Sequence, residues 1–166
     1  VRKPTVVAYS EDAMSLLGVD TDTINEQEIE KYFSGNEVIP ESGCEPYSHC
    51  YCGHQFGSFA GQLGDGAATY LGEVMLTDGS RQELALKGSG KTAFSRRSDG
   101  RKVLRSSIRE FLGSEAMHFL GIPTTRSASC VTSSSTVQRD PLYDGHVIDE
   151  PCTIITRVAR SFFRFG

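Results

Sequence analysis

The chain has 166 residues, of which 38% are hydrophobic and 23% charged, enough for one domain with a real core or for part of a larger one. A net charge of −4 makes no electrostatic case for nucleic acid or an anionic membrane as partner. No apolar run approaches the roughly 20 residues needed to span a bilayer, which excludes a transmembrane helix. The charge is uneven: carboxylates dominate from Glu11 to Glu45, whereas Lys87 to Arg109 and Arg157 to Arg164 are basic. That asymmetry favours a local anionic ligand, such as a polyphosphate.

The chain starts at Val1 without Met, and nothing near it resembles a secretory signal or a transit peptide, so a fragment or processed form is expected. Ser10 is a candidate N-cap for a short helix within Tyr9 to Gly18, with Glu11 and Asp12 in its first turn. A second helix is expected from about Asn25 to Phe33. Residues 1–45 thus read as an N-terminal helical extension, followed by a second unit over 46–166. From Pro40 to Gly66 the chain is rich in Gly, Cys, Ser and aromatics without helical period, which predicts an ordered loop anchored by Tyr47, Tyr51, Phe56 and Phe59. Five cysteines, an odd number, argue against a disulfide framework and for reduced thiols. Cys44, Cys50 and Cys52, with His49 and His54, lack the C-x2-4-C spacing of common zinc modules, so buried thiols and loop histidines are preferred over a zinc site.

Ala68 to Leu76 and Gln82 to Lys87 read as two strands joined through Asp78-Gly79, a strong hairpin signal. A Gly/Ser/Arg loop, Gly88 to Gly100, follows. The best helix runs from Arg101 to Leu120, with Leu104, Ile108, Phe111, Leu112, Ala116, Phe119 and Leu120 at helical spacing. Ser98 or Asp99 is its expected cap, and Gly121 and Pro123 close it. Ser127 to Val131 and Thr153 to Val158 are further strand candidates, separated by a polar, Ser-rich stretch. The aromatic-rich end at Ser161 to Phe165 predicts that more chain follows.

The chemistry gathers around Gly61-Gln62-Leu63-Gly64-Asp65-Gly66, which feeds the hairpin ending at Lys87. Closely spaced glycines let backbone N–H groups approach phosphate oxygens, and a lysine at the end of the paired strand can reach the same phosphates. Glu110 on the next helix can pair with that lysine. Its own helical neighbours Ser106, Ser107, Gly113 and Ser114 include no cation, which favours a distant partner. Singly, Gly64 and Gly66 read as a tight turn and Lys87 as a solvated strand end. In this order, the set resembles a protein-kinase small lobe: an α+β unit with an antiparallel sheet, a Gly-rich loop and one main helix, incomplete without a large lobe. The run Lys87-Gly88-Ser89-Gly90-Lys91-Thr92 imitates a P-loop but has Ala85 where glycine is required, and no helix starts at it. Arg157, Arg160 and Arg164 read equally as a bidentate clamp on a terminal phosphate or as a basic surface strip.

The runs Tyr51 to Gly66, Leu86 to Gly100, Val103 to Met117, Gly121 to Arg126 and Arg157 to Gly166 resemble the selenoprotein O family of protein adenylyltransferases. The resemblance implies a kinase-like fold that binds ATP in reversed orientation and moves AMP to Ser, Thr or Tyr hydroxyls of proteins. It implies ATP contacts at Gly64, Gly66, Ala67, Lys87, Asp99, Gly100, Arg157 and Arg164, with Glu110 pairing Lys87 and the two arginines on the terminal phosphate. Many members carry Arg at the position of Ala67, so a side-chain contact is lost there while a backbone contact can survive. The family's catalytic Asp and its Mg ligands lie beyond Gly166, so this piece alone is expected to be inactive. Its eukaryotic members are similar to mitochondrial proteins and its bacterial ones to cytoplasmic proteins; the cysteine content leans to the eukaryotic side.

Overall fold

In chain order, the first half of the computed structural model holds β1 (Thr5–Tyr9), α1 (Glu11–Ser15), α2 (Glu26–Tyr32), β2 (Cys50–Gln55), β3 (Ser58–Gly64), β4 (Ala68–Met75) and β5 (Arg81–Lys87). The second half holds β6 (Lys102–Val103), α3 (Leu104–Phe119), β7 (Arg126–Arg139) and β8 (Ile148–Ala159). The structure describes residues 1–40 and 43–164; Phe165 and Gly166, at the end of the Arg157 to Gly166 run, and Glu41 and Ser42 in the expected loop lie outside them.

The fold is α+β and its main sheet is antiparallel, in the order β1-β7-β8-β5-β4, with short β6 pairing β8. Strand β8 is central and buried on both faces, because successive side chains point to opposite sides of a strand. One face carries Leu84, Ala128, Val131 and Val158, which pack with Ala13, Met14 and Leu17 of the α1 region and Ile29 and Phe33 of the α2 region. The other face carries Cys130 and Ile155 against Phe111 of α3. Each fully buried aliphatic side chain here, such as Ile29, contributes about 1.5–3 kcal/mol.

The two N-terminal helices start where their caps lie. Ser10 Oγ accepts from the Ala13 N–H, and Asn25 and Glu28 form a reciprocal capping box. The Asp78-Gly79 turn joins β4 to β5, with Gly79 at a φ of 82° that a side chain would strain.

Four expectations are corrected. The stretch from Pro40 to Gly66 is not all loop: β2 and β3 form a hairpin whose tip is Phe56 and Gly57, at φ of 53° and 80°. Neither strand buries a regular face, so no alternation marked them, and Phe56 and Phe59 stand in solvent rather than anchoring a loop. Cys50 and Cys52 lie on this hairpin, exposed rather than buried. The long helix begins at Leu104, not Arg101, because Lys102 and Val103 are taken by pairing with Thr153 and Cys152 of β8. Its N-cap is therefore Val103, which makes no side-chain cap bond, and neither Ser98 nor Asp99 caps it. Finally, the Ser/Thr-rich stretch after Val131 is largely strand: the β7–β8 pairing resumes at Thr136↔Pro151 and continues to Arg139↔Ile148. Strand β1, which no expectation included, joins the sheet edge beside β7.

Candidate functional site

Strand parity builds the site. Leu84 faces the α1–α2 side, so Ala85 and Lys87 face α3. In the β5–β8 register Ala85 lies opposite Arg157 and Lys87 opposite Ile155, which sets Arg157 beside Lys87 on that same face. Glu110, midway along α3, meets both. Its two carboxylate oxygens each accept from Lys87 Nζ at 3.0 Å, and Oε1 accepts from Arg157 Nη1 at 2.8 Å.

Arg157 is held further by Nη2, which donates to the Thr125 carbonyl at 2.8 Å and to the Thr125 hydroxyl. Burial pushes the Arg157 guanidinium down from its ordinary range, against the pull of Glu110. Its Nε is buried and has no partner among the described residues. One carboxylate thus serves two cations, leaving a net positive charge at the cluster, partly screened from water.

A second knot lies across the same cleft. Asp65, buried between Gly64 and Gly66, accepts from the guanidinium of Arg164 and from the Tyr70 hydroxyl at 3.1 Å. His49 Nδ1 stands 3.7 Å from the same carboxylate. The Arg164 guanidinium lies over the Tyr51 ring, 4.3 Å from its centroid. Burial would lower Arg164, but Asp65, Tyr51 and Tyr70 together outweigh it and raise the group. Burial and the Asp65 charge push the Tyr70 hydroxyl well above its ordinary range, so it stays protonated and donates. Phe162 anchors the chain leading to Arg164: its N–H donates to Glu83 at 2.9 Å and its ring meets Tyr70 edge-on. Between the two knots lies a cleft of about 230 Å³ lined by Asp65, Lys87, Glu110, Arg157, Phe162 and Arg164. Three cations and two carboxylates converge there, an arrangement suited to a polyanion that can replace the carboxylates as partner.

The remaining predicted residues lie around this cleft, not in it. Gly64 and Gly66 pack on the loop that follows β5: a Cβ at Gly64 would overlap the Phe94 ring, and one at Gly66 would stand 3.1 Å from the Phe94 carbonyl oxygen. Ser95 Oγ donates to the Gly66 carbonyl at 2.6 Å, fastening the turn to that loop. Ala67, Asp99 and Gly100 line a separate hollow of about 600 Å³ with Lys102 and Arg139. There Asp99 takes both terminal nitrogens of Arg139, at 2.6 and 2.8 Å, and that bonding holds its carboxyl below the usual range. Gly100, at a φ of 69°, lies against the Gly90 backbone with no room for a Cβ. Half-buried Lys102 joins the two regions electrostatically, for burial first and then the charge of Lys87 lower it. Arg160 departs from the cluster and lines an opposite hollow with Gln82 and His118.

Asp65, Tyr70, Thr125, Lys102 and Arg139 were not singled out from sequence, and Tyr51 was expected only as a loop anchor. Of these, only Asp65 carried a signal, as a carboxylate enclosed by two glycines. No group of three or more His, Cys, Asp or Glu among the described residues is placed to hold a metal ion.

An antiparallel sheet with one long helix across it, and a cleft where a strand lysine, a helix glutamate and two arginines meet, defines an α+β domain with a cation-lined cleft. The chain belongs to the SelO family: the model described as protein adenylyltransferase SelO matches residues 2–166. It is 61% identical over 168 residues to the human protein named "Protein adenylyltransferase SelO, mitochondrial", covering all of this chain and 25% of that one. It is 55% identical over 166 residues to "Protein nucleotidyltransferase YdiU" of Azoarcus sp., covering all of this chain and 32% of that one. The chain therefore spans between a quarter and a third of the length of these relatives.

Proposed function

We propose that this chain is the ATP-gripping part of a protein adenylyltransferase, with residues 46–166 forming a kinase-like small lobe and residues 1–45 an extension that adds β1 to its sheet edge and packs α1 and α2 on its face. The observation that carries the reading is the Lys87–Glu110–Arg157 cluster facing Arg164 across one cleft. Arg157 and Arg164 grip the terminal phosphate, and Lys87, held extended by Glu110, takes an adjoining phosphate. Gly64, Gly66 and the backbone of Ala67 approach the nucleotide from the turn, while Asp99 and Gly100 contact its other end. With the terminal phosphate held deep, the α-phosphorus is left for attack by a Ser, Thr or Tyr hydroxyl of a protein substrate. The new bond is oxygen to α-phosphorus; the bond to the β-phosphate oxygen breaks, and pyrophosphate leaves with the positive cluster stabilising its charge.

The catalytic Asp and the ligands of Mg²⁺ belong to residues outside this chain. Both acidic groups of the cleft, Glu110 and Asp65, are already engaged by cations and do not form a metal centre. The segment alone therefore binds nucleotide but does not transfer AMP. The names of the eukaryotic relatives support a mitochondrial setting for this chain.

The test supplies the full-length protein with ATP labelled on the α- or γ-phosphate and follows label into protein. Label arriving from the α-position alone is the expected result. Label from the γ-position would mean a phosphotransferase, and label from neither a non-catalytic scaffold.

A further inference from the structure

Asp65 is 6% exposed and lies in the turn between β3 and β4. Its backbone is fixed independently of its carboxylate: the N–H donates to the His49 carbonyl at 3.0 Å, and the carbonyl accepts from Thr92 Oγ1. One carboxylate oxygen receives Tyr70, and the other receives Arg164. Arg164 itself sits on the chain after β8, beyond the last sheet residue Ala159, where no ladder orients it. Side-chain contacts do so instead. The Tyr51 ring lies against the plane of the guanidinium, Asp65 accepts from its Nη2 and Tyr70 adjoins it, while the side chain lines the cleft shared with Lys87 and Arg157. A guanidinium without such constraints loses rotamer entropy whenever it binds a phosphate.

We propose that Asp65 is a positioning residue: with Tyr51, it presets the Arg164 guanidinium in the orientation that grips the terminal phosphate. This rests on the phosphate role of Arg164 proposed above. The alternative for a carboxylate beside an anion site is competition, in which Asp65 repels the phosphate and occupies its arginine. The two readings differ in sign. Because the terminal phosphate leaves with pyrophosphate and is remote from the reacting α-phosphorus, a loss of positioning weakens ATP binding in ground and transition states alike, and so appears in KM.

The experiment measures initial rates of AMP transfer against ATP concentration for the full-length protein, its Asp65→Asn and Arg164→Ala variants, and the double variant. Asn keeps an acceptor for Tyr70 and leaves the backbone bonds intact, so the turn is retained. Asp65→Asn is expected to raise the KM for ATP about 10-fold, the scale of one lost hydrogen bond to a charged group, with kcat changed less than about 3-fold. In the Arg164→Ala background the same change is expected to add less than about 2-fold, since Asp65 acts through that arginine. An unchanged or lower KM in Asp65→Asn, with Arg164→Ala still raising it, would overturn positioning while leaving the phosphate grip in place. An equal effect of Asp65→Asn in both backgrounds would assign its role to the fold and overturn it too. Arg164→Ala without effect on KM would remove the grip itself, and this inference with it.

Discussion

Replacing Glu110 by Gln removes one charge and leaves two cations facing each other. Glu110 accepts from Lys87 at 3.0 Å and from Arg157 at 2.8 Å, and a neutral amide of the same shape satisfies neither as an ion partner. Breaking a fully buried pair by removing one partner costs about 3–5 kcal/mol. Here the Lys87 and Glu110 side chains are 35% and 24% exposed, and water screens part of the loss. Arg157 is more deeply placed, at 14%, and bears the larger share. A destabilisation of about 1–3 kcal/mol follows, read as a shift in the urea unfolding midpoint at unchanged slope. Because Arg157 keeps Thr125 but loses its ion partner in the single variant, Glu110→Gln combined with Arg157→Gln should cost less than the sum of the two single changes. Additive costs, or a loss below about 0.5 kcal/mol for Glu110→Gln, would refute the shared-carboxylate account.

Lys87→Ala in the full-length protein should lower AMP transfer by about 100-fold or more, since the lysine's charge lies where phosphate charge is held; activity near the unsubstituted level in the label assay would remove the central assignment. Gly64→Val should destabilise by about 1–3 kcal/mol or more, because its side chain must displace the Phe94 ring, and thermal melting would show it; an unchanged melting temperature would mean that the loop yields freely. Acid should weaken the fold through Glu115. Burial would raise this carboxyl, but Arg126, Ser10 and the Ser127 N–H outweigh it and hold it below its ordinary value of 4.5. A depressed carboxylate contributes stability that is present above 4.5 and lost as pH falls through the folded-state value, so urea midpoints should drop below about pH 4.5, and less steeply in Glu115→Gln.

Local signals carried much of this protein. Asp78-Gly79 between two extended runs specified the β4–β5 hairpin, and with it the end of the strand where Lys87 stands. Ser10 marked the start of α1, because a cap is chemistry between residues three apart, and the expected second helix began at Asn25, which the structure shows to be its cap. Glu110 could be assigned a distant partner from the absence of a cation on its own helix face. The long helix was legible, but its first turn was not: whether Lys102 and Val103 are helix or strand depends on β8, some 50 residues away, offering an edge to pair with.

Only the tertiary structure decided what Glu110 shares and with whom. Arg157, Arg160 and Arg164 look alike along the chain, but strand parity and the β5–β8 register send Arg157 to Glu110, while the chain beyond β8 carries Arg164 to Asp65 and Arg160 to the opposite side. The β2–β3 hairpin was hidden because its strands face water on both sides and lack the apolar alternation that burial imposes. Sequence determines which residues can bear charge and where the chain must turn. Which charges meet is set by register between strands distant in sequence, and that depends on the closed sheet rather than on any short stretch of it.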